Sequence, residues 1–246
     1  MNIHISNVEY NSKTPFPYAS QDNFLDETIA KNIQHEILNI SDEAWDRYEN
    51  PFEKKFTLRD KYAFPPYLKS LFQLLESEEF VTKISSVCGK RVYLDPTRNF
   101  WGVHKYTAGD KLDIHLDAAI HPMTQQKKYI TFGLYLSSNW KDEYGCQLEI
   151  WRGDSSKIYE KVDSIAPVFN RMIIFTNTDV SWHGNPESVQ CPLDSQRIFI
   201  TISYLADHRA KALFARRPLD LHDEEKDKLR VLRADAITCT AVYKSK

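Results

Sequence analysis

The sequence has little glycine, no clustered cysteines and no excess of positive charge. Its 246 residues include only seven glycines, and no Ser/Gly-rich tract or repeat of fixed period marks a linker between domains. The four cysteines have no C-x-x-C spacing, which argues against a thiolate zinc site and against a disulfide scaffold. Lys and Arg total 32 against 34 Asp and Glu, so general binding to nucleic acid or to an anionic membrane is disfavoured.

Long hydrophobic runs are also missing. The N-terminal segment MNIHISNVEYNSK has no charged start followed by an apolar stretch, and no apolar run approaches the roughly 18 residues of a membrane span. We therefore expect a soluble cytoplasmic protein without a membrane partner. The apolar fraction of 42% is enough for a large core, and we expect a single domain over residues 1–246.

Helical patterns lie mainly in the N-terminal third. Isoleucines recur every three or four residues from Ile29 to Ile40, after Asp26 as a candidate N-cap. A second apolar pattern follows Pro66 and continues until Gly89, which supplies a helix stop. We expect a helical support region over 1–89, a core over 90–208 and a helical tail over 209–246, with a charged helix at 219–236.

From about residue 91 the sequence consists of short runs rich in β-branched and aromatic residues, broken by turn residues. So many short strands with few helical patterns between them favour a mainly β fold, an antiparallel sandwich or barrel with helices outside. The predicted strands are RVYLD, NFWGVHKYT, KLDIHLD, KYITFGLYLS, CQLEIWRG, SIAPVFNRMIIFTNT and RIFITISYLA. The aromatic stretch WDRYENPFEKKFTLRDKY, within residues 45–66, is interpreted as an ordered lid or an exposed loop.

An H-x-D pattern marks a candidate metal site in this region. His115 and Asp117 are two residues apart, so on a strand both side chains face the same side. His183 follows the strand RMIIFTNT, in the turn-like SWHGNP. Two histidines and one carboxylate suit non-haem Fe(II), because they leave coordination positions open for a cosubstrate and O₂. The structural alternative is a hydrogen-bonded His–Asp pair with an unrelated surface histidine.

Two further residues are candidates for binding a carboxylate cosubstrate beside this metal. Arg197 opens the strand RIFITISYL and offers a fork of donors to a carboxylate. Tyr106 lies nine residues before His115, and its hydroxyl is a candidate ligand of the same cosubstrate. The structural alternatives are a strand-edge arginine and a half-buried packing tyrosine.

The order of H-x-D, distal His and basic residue resembles that of the Fe(II)/2-oxoglutarate-dependent dioxygenases. Over residues 90–208, segments such as YTAGDKLDIHLD, ITFGLYLSSNW and YGCQLEIW resemble successive elements of the prolyl 4-hydroxylase-like branch. FPYASQDNFLDETIAKNIQ resembles the helix entry that opens such proteins. The resemblance implies a double-stranded β-helix core, jelly-roll and cupin-like, with flanking helices.

Carried over to this chain, the resemblance implies His115, Asp117 and His183 as the iron ligands and catalytic centre. It implies that Arg197 binds the distal carboxylate of 2-oxoglutarate and that Tyr106 hydrogen-bonds the same cosubstrate.

Two positions depart from the family pattern. The usual Gly-Gly turn is Gly145-Cys146, which we interpret as a tolerated variant. The serine of an R-x-S element is Phe199, so Thr131 is expected to replace the missing hydroxyl, with Thr201 as the other candidate.

The resemblance implies an oxidoreductase that uses Fe(II), 2-oxoglutarate and O₂, with ascorbate as a further candidate, and releases succinate and CO₂. Asp117 favours hydroxylation, because halogenating relatives carry a small residue there. A prolyl residue or free proline is the first substrate expected, although the branch also includes enzymes acting on other amino acids and small molecules. His104, His121 and Trp182 are candidates for substrate contact, each with a structural alternative.

Two rival functions use the same residues differently. A non-catalytic, cupin-like metal-binding protein would keep the barrel without turnover, but it predicts a damaged metal site. A zinc hydrolase would use the same ligands, but it would leave Arg197 and Tyr106 without a cosubstrate. Iron-dependent binding of 2-oxoglutarate separates the oxygenase from both.

Overall fold

The computed structural model describes residues 3–117, 119–207, 229–231 and 243–245. Within these residues the chain forms a large antiparallel β-sheet with α-helices packed on its outside. The helices are α1 (Asn7–Ser12), α2 (Glu27–Leu38), α3 (Pro66–Glu76) and α4 (Glu78–Cys88). The strands are β1 (Tyr18–Gln21), β2 (Trp45–Asn50), β3 (Glu53–Leu58), β4 (Gly102–Tyr106), β5 (Lys111–His115), β6 (Lys127–Tyr135), β7 (Leu148–Gly153), β8 (Ile158–Ile165), β9 (Met172–Thr176), β10 (Trp182–Asn185), β11 (Arg197–Ala206), β12 (Leu229–Val231) and β13 (Tyr243–Ser245).

The helix predicted after Asp26 is confirmed as α2. The Asp26 carboxylate accepts hydrogen bonds from the backbone N–H groups of Thr28 and Ile29, which have no partner inside the helix. Ile33 and Ile37 are buried on its inner face, whereas Ile29 is exposed.

The second predicted helical stretch is divided into α3 and α4. Ser77 adopts an extended conformation between them, and its hydroxyl accepts the N–H of Phe80 to begin α4. Gly89 ends α4 with a φ of 70°, as the sequence predicts. The apolar faces of α2, α3 and α4 form one buried core with β6 and β11, and burial of this surface stabilises the packing of helices on the sheet.

The main sheet has the order β1-β9-β6-β11-β4-β3-β5-β10-β7-β8, and β2 pairs with β3. It curls into a nearly closed barrel, the double-stranded β-helix expected from the sequence, so the predicted fold class is confirmed. The aromatic stretch that was predicted as a lid or loop instead forms the hairpin β2–β3. Its second strand, β3, lies between β4 and β5 in the sheet.

Two strand predictions and one turn prediction need correction. RVYLD is not a strand: Tyr93 makes only an isolated bridge to Leu205, and the Asp95 carboxylate turns the chain by accepting the N–H groups of Thr97 and Phe100. SIAPVFNRMIIFTNT contributes the end of β8 and then β9, because the chain turns at Asn170, where φ is 62°. Residues 182–185, expected as a turn, form β10.

In the C-terminal tail, the helix predicted over 219–236 is wrong at Leu229–Val231, which pair with Tyr243–Ser245 as antiparallel strands. The rest of the predicted tail at 209–246 lies outside the described residues. Among the helices that the structure describes, none has the length and apolar composition needed to cross a bilayer.

Candidate active site

A cavity of about 240 Å³ opens inside the curled sheet. Its walls come from β2, β3, β4, β5, β6, β7, β9, β10 and β11 and from the segments that precede β4 and follow β5. Most of the residues predicted for the site line it, namely His104, Tyr106, His115, Asp117, Thr131, His183 and Arg197. His121 and Trp182 do not line it.

The H-x-D pair and the distal histidine meet in this cavity. His115 on β5 and His183 on β10 are directly opposite each other in the sheet, and Asp117 follows β5. The Asp117 oxygens lie 3.5 Å from His115 Nε2 and 3.8 Å from His183 Nε2. Candidate ligand atoms of all three residues lie within 4.8 Å of one another, so the group could hold one metal ion.

The hydrogen bonds of the two histidines fit metal binding. His115 Nδ1 lies 2.9 Å from the Asp113 carbonyl oxygen, and His183 Nδ1 lies 2.7 Å from that of Ser181. Because a carbonyl only accepts, each Nδ1 carries a proton, and in the neutral ring this leaves the Nε2 lone pair for a metal ion. Burial and the neighbouring His115 lower the pKa of His183 to about 3, so its imidazole is neutral, as a metal ligand must be.

Asp117 has a buried partner that the sequence analysis missed. Lys128 on β6 places its ammonium nitrogen 2.6 Å from one Asp117 oxygen. Burial alone would raise the pKa of Asp117, but the ammonium group of Lys128 outweighs burial and holds that pKa well below its usual range. Asp117 is therefore a carboxylate in this site, with one oxygen oriented by Lys128.

Arg197 lines the same cavity, beside Tyr106. The two residues are opposite each other on β11 and β4, and the guanidinium carbon lies 4.1 Å from the Tyr106 ring centroid. Arg197 Nη1 donates to the Cys146 carbonyl at 3.1 Å, but the buried Nε has no hydrogen-bond partner among the described residues. A buried cation with an unused donor calls for an anion of matching shape, and a carboxylate accepts two parallel N–H bonds from a guanidinium.

The variant turn Gly145-Cys146 shapes this end of the cavity. Both residues have positive φ, 75° for Gly145 and 63° for Cys146. Left-handed backbone is strained for a cysteine, and here it orients the carbonyl that holds Arg197.

Thr131 and Tyr135 line the cavity from β6. The Thr131 hydroxyl accepts a hydrogen bond from the Asn177 side chain at 3.0 Å, so it is already engaged inside the protein. Tyr135 is buried, and its ring packs 4.7 Å from that of Phe199. The sequence carried a signal for Tyr135, because it is four residues from Thr131 on one strand and so shares its face.

Residues 101–205 match the family model described as the 2OG-Fe(II) oxygenase superfamily. This region of the chain belongs to that superfamily. No curated protein matches the chain.

Solved structures share the fold of this oxygenase at low sequence identity. A prolyl-4-hydroxylase from Pseudomonas putida aligns with a TM-score of 0.57 and 13% identity, covering 82% of this chain and 99% of that one. A Trichoplax adhaerens prolyl hydroxylase in complex with a hypoxia inducible factor peptide aligns with a TM-score of 0.57 and 16% identity, covering 81% of this chain and 88% of that one. HygX from Streptomyces hygroscopicus, with nickel, 2-oxoglutarate and hygromycin B bound, aligns with a TM-score of 0.52 and 10% identity. The alignment covers 77% of this chain and 83% of that one.

The oxygenase assignment fixes the general chemistry of the cavity. The protein is an Fe(II)- and 2-oxoglutarate-dependent dioxygenase that consumes O₂, as the sequence resemblance implied. The donor set of two imidazoles and one carboxylate fits the iron of this superfamily.

The predicted substrate residues of the oxygenase separate into two groups. His104 lies in the cavity wall, and its buried Nδ1 has no hydrogen-bond partner among the described residues. His121 and Trp182 are fully buried outside the cavity, so the structure does not bring them to its wall. His121 binds Asp95 at 2.9 Å, and Trp182 donates its indole N–H to the Asp154 carbonyl at 2.6 Å.

Proposed function

We propose that this oxygenase hydroxylates an unactivated C–H bond of a prolyl residue, of free proline or of another amino acid, with succinate and CO₂ as coproducts. The observation that carries the proposal is a metal-binding triad and an unsatisfied Arg197 Nε in one buried cavity. The prolyl substrate is supported by the fold shared with two prolyl hydroxylases.

In this proposal His115, Asp117 and His183 hold Fe(II), which supplies activation of O₂ when 2-oxoglutarate is bound. Arg197 pairs with the distal carboxylate of 2-oxoglutarate, and the neighbouring Tyr106 hydroxyl donates to the same molecule. Burial raises the pKa of Tyr106, so its hydroxyl keeps the proton that it donates. The role of Thr131 is to shape the wall, since its hydroxyl is engaged by Asn177.

The carboxylate of Asp117 supports hydroxylation rather than halogenation. It occupies the metal site as a third protein donor, and Lys128 holds it in place at 2.6 Å. A small residue at position 117 would instead leave a place for a halide. The proposed enzyme therefore delivers oxygen to its substrate.

A second candidate substrate class is a small molecule other than an amino acid. HygX shares this fold and was solved with hygromycin B bound, so the fold accommodates such substrates. The cavity of about 240 Å³ must hold 2-oxoglutarate as well, which leaves room for a small reacting group.

Anaerobic titration with Fe(II) and 2-oxoglutarate tests the proposal. The wild-type protein is expected to develop the weak visible charge-transfer band of the iron chelate, while Arg197→Ala and His183→Ala lose or weaken it. Adding O₂ should then release succinate, with and without ascorbate, and candidate substrates should gain 16 daltons. Metal binding without this band at saturating 2-oxoglutarate would overturn the oxygenase reaction and favour the zinc or non-catalytic alternatives.

A further inference from the structure

Three adjacent strands present two rows of side chains to the cavity. Arg197 on β11 is paired with Tyr106 on β4, and the pairing of β4 with β3 brings Lys55 level with Tyr106. In the next row, Phe199 is paired with His104, and His104 with Thr57. All of these residues line the cavity.

Lys55 is a buried ammonium group in the wall of the cavity. Its side chain is only 9% exposed and forms an ion pair with Glu53 at 2.5 Å. Burial alone would lower the pKa of Lys55, but Glu53, Tyr106 and Asp117 outweigh burial and raise it, so the group is charged. An ammonium group has three N–H donors, and Glu53 engages one side of it.

Lys55 is separated from the proposed 2-oxoglutarate carboxylate site by a full strand. Strands in a sheet are about 4.8 Å apart, so the backbones of Lys55 and Arg197 are roughly 10 Å apart across Tyr106. Lys55 is also close enough to Asp117 for their charges to interact. It therefore lies on the side of Tyr106 away from Arg197, within electrostatic reach of the metal site.

His104 adds a neutral donor or acceptor next to Lys55. Gly102 leaves space for its ring, because a Cβ atom at position 102 would lie 2.4 Å from His104 Nε2. Burial and the surrounding cations, Lys55 first among them, hold the pKa of His104 well below its usual range. Its buried Nδ1 has no hydrogen-bond partner among the described residues.

The charged residues lining the cavity are mostly cations. Among the described residues, the cations are Lys55, Arg59, Lys61, Lys128 and Arg197, and the carboxylates are Asp46 and Asp117. Arg59 and Asp46 form their own ion pair at 2.8 Å. Glu53 neutralises Lys55 from outside the lining, so the five cations exceed the three carboxylates by two. A divalent metal and the 2-oxoglutarate dianion have opposite charges of equal size, so loading the site with both leaves this excess of positive charge unchanged.

We infer that Lys55 and His104 form an anion-binding subsite for the primary substrate, which carries a carboxylate near the C–H bond that reacts. The inference rests on the proposed function and narrows its substrate class to acids. The carboxylate comes from a free amino acid or from an acidic side chain of a peptide. The buried donors of Lys55 and His104 favour a carboxylate over the corresponding uncharged amide. The amide oxygen is a weaker acceptor for the Lys55 ammonium group than a carboxylate oxygen is.

Matched acid and amide ligands test the subsite by binding. The protein is loaded with Mn(II) and N-oxalylglycine, an inert analogue of 2-oxoglutarate, and titrated with free amino acids and their amides, such as L-proline and L-prolinamide. Capped dipeptides containing Pro with Asp or Asn form the second arm. We expect at least one acid to bind ten times more tightly than its amide, and the arm in which this occurs identifies the source of the carboxylate.

The double variant Glu53→Gln/Lys55→Met removes the ion pair as a unit, so no buried charge is left alone. We expect it to lose the preference for the acid and to bind N-oxalylglycine within twofold of wild type, while Lys55→Arg keeps the preference. Lys54→Met is the matched control, because Lys54 is the next residue on β3, is 38% exposed and pairs with Glu49. Thermal unfolding of each variant verifies its fold.

The outcomes separate this inference from the proposed function. If N-oxalylglycine binds normally but no acid binds wild type more tightly than the double variant, the subsite is overturned and the oxygenase proposal stands. If the double variant instead loses its affinity for N-oxalylglycine, Lys55 binds the cosubstrate and the inference is overturned. Failure of wild type to bind N-oxalylglycine in a metal-dependent way overturns both.

Discussion

The ammonium nitrogen of Lys128 lies 2.6 Å from the oxygen of Asp117 that is nearer to His183. This contact orients the single carboxylate of the metal site. We predict that Lys128→Met weakens Mn(II) or Co(II) binding about tenfold, since partners that orient metal ligands are worth roughly 10–100-fold in affinity. Competition with a chromogenic chelator measures the affinity.

Lys128→Arg is the control for this prediction, because it keeps a cation that can hold the carboxylate. It should bind metal within a few-fold of wild type. Removing a positive charge also removes repulsion of the metal, and this acts in the opposite direction. Equal or tighter metal binding by Lys128→Met would show that repulsion outweighs orientation.

Gly133 makes room for the ring of Phe199. A Cβ atom at position 133 would lie 2.2 Å from Phe199 Cζ and 3.0 Å from Ile173 Cγ1. Gly133→Ala must therefore push Phe199 towards Tyr135 and Arg197, and we predict a loss of about 1–3 kcal/mol in unfolding free energy. Binding of 2-oxoglutarate should weaken several-fold in the same variant.

The double variant Gly133→Ala/Phe199→Leu tests this mechanism for Gly133. The smaller leucine removes the overlap with the alanine methyl group. The double variant should therefore lose less unfolding free energy than the sum of the losses in the two single variants. Additive losses would mean that the two residues do not compete for space. Denaturant unfolding and calorimetric titration with 2-oxoglutarate give the two quantities.

The H-x-D pair of the candidate metal site and the strand-rich fold were predictable because local rules place them. His115 and Asp117 follow the two-residue period of a strand, and the Asp26 cap of α2 follows from one side chain and two N–H groups. Lys128 was not predictable in this way. The register of β6 against β11 shifts between Tyr204 and Leu205, which pair with Ile130 and Lys128, and this shift brings Lys128 to the cavity side with Thr131.

Long-range pairing explains the other differences from the sequence analysis. β10 contains only four residues, and its strand conformation depends on pairing with β5 and β7 on either side. The β2–β3 hairpin carries charged residues throughout, and its role became clear only when β3 was seen between β4 and β5. Lys55 was therefore missed, because its position beside the metal site depends on sheet order and not on local sequence.

His121 is buried outside the cavity and supports a loop. Its Nδ1 accepts the N–H of Thr124 at 3.1 Å, so Nε2 carries the proton and donates to Asp95 at 2.9 Å. Asp95 also binds the N–H of Phe100, at the start of the cavity wall. We predict that His121→Ala lowers the unfolding free energy by roughly 3 kcal/mol, because it leaves Asp95 buried without this partner.

The binding of metal and 2-oxoglutarate by folded His121→Ala should stay within a few-fold of wild type. His35→Ala is a suitable control, because His35 is exposed at the end of α2 and its loss should change stability little. A stable His121→Ala with strongly impaired cosubstrate binding would contradict the structural role. Urea unfolding and calorimetry distinguish the two results.

The ion pair between Asp22 and Arg171 should make stability depend on pH. Arg171 donates to both Asp22 oxygens, through Nε at 2.5 Å and Nη2 at 2.9 Å, and joins the turn after β1 to the start of β9. These hydrogen bonds lower the pKa of Asp22 below its ordinary value. A carboxyl group whose pKa is lower in the folded state adds stability above its unfolded pKa of about 3.9, and this stability is lost as the pH falls through the folded value.

We therefore predict that Asp22→Asn lowers the unfolding free energy by about 0.5–1 kcal/mol at pH 7, the range of a partly exposed ion pair. Urea unfolding at pH 7, 5, 4 and 3 should show a constant difference from wild type down to about pH 4 and a shrinking difference below it. Arg171→Gln should show the same pH dependence with an additional constant loss, because Arg171 also donates to the Ala166 carbonyl at 3.1 Å. The double variant should lose no more than Arg171→Gln alone. A difference that stays constant to pH 3 would mean that Asp22 contributes through packing, because only the ionised carboxylate loses its interaction when protons bind.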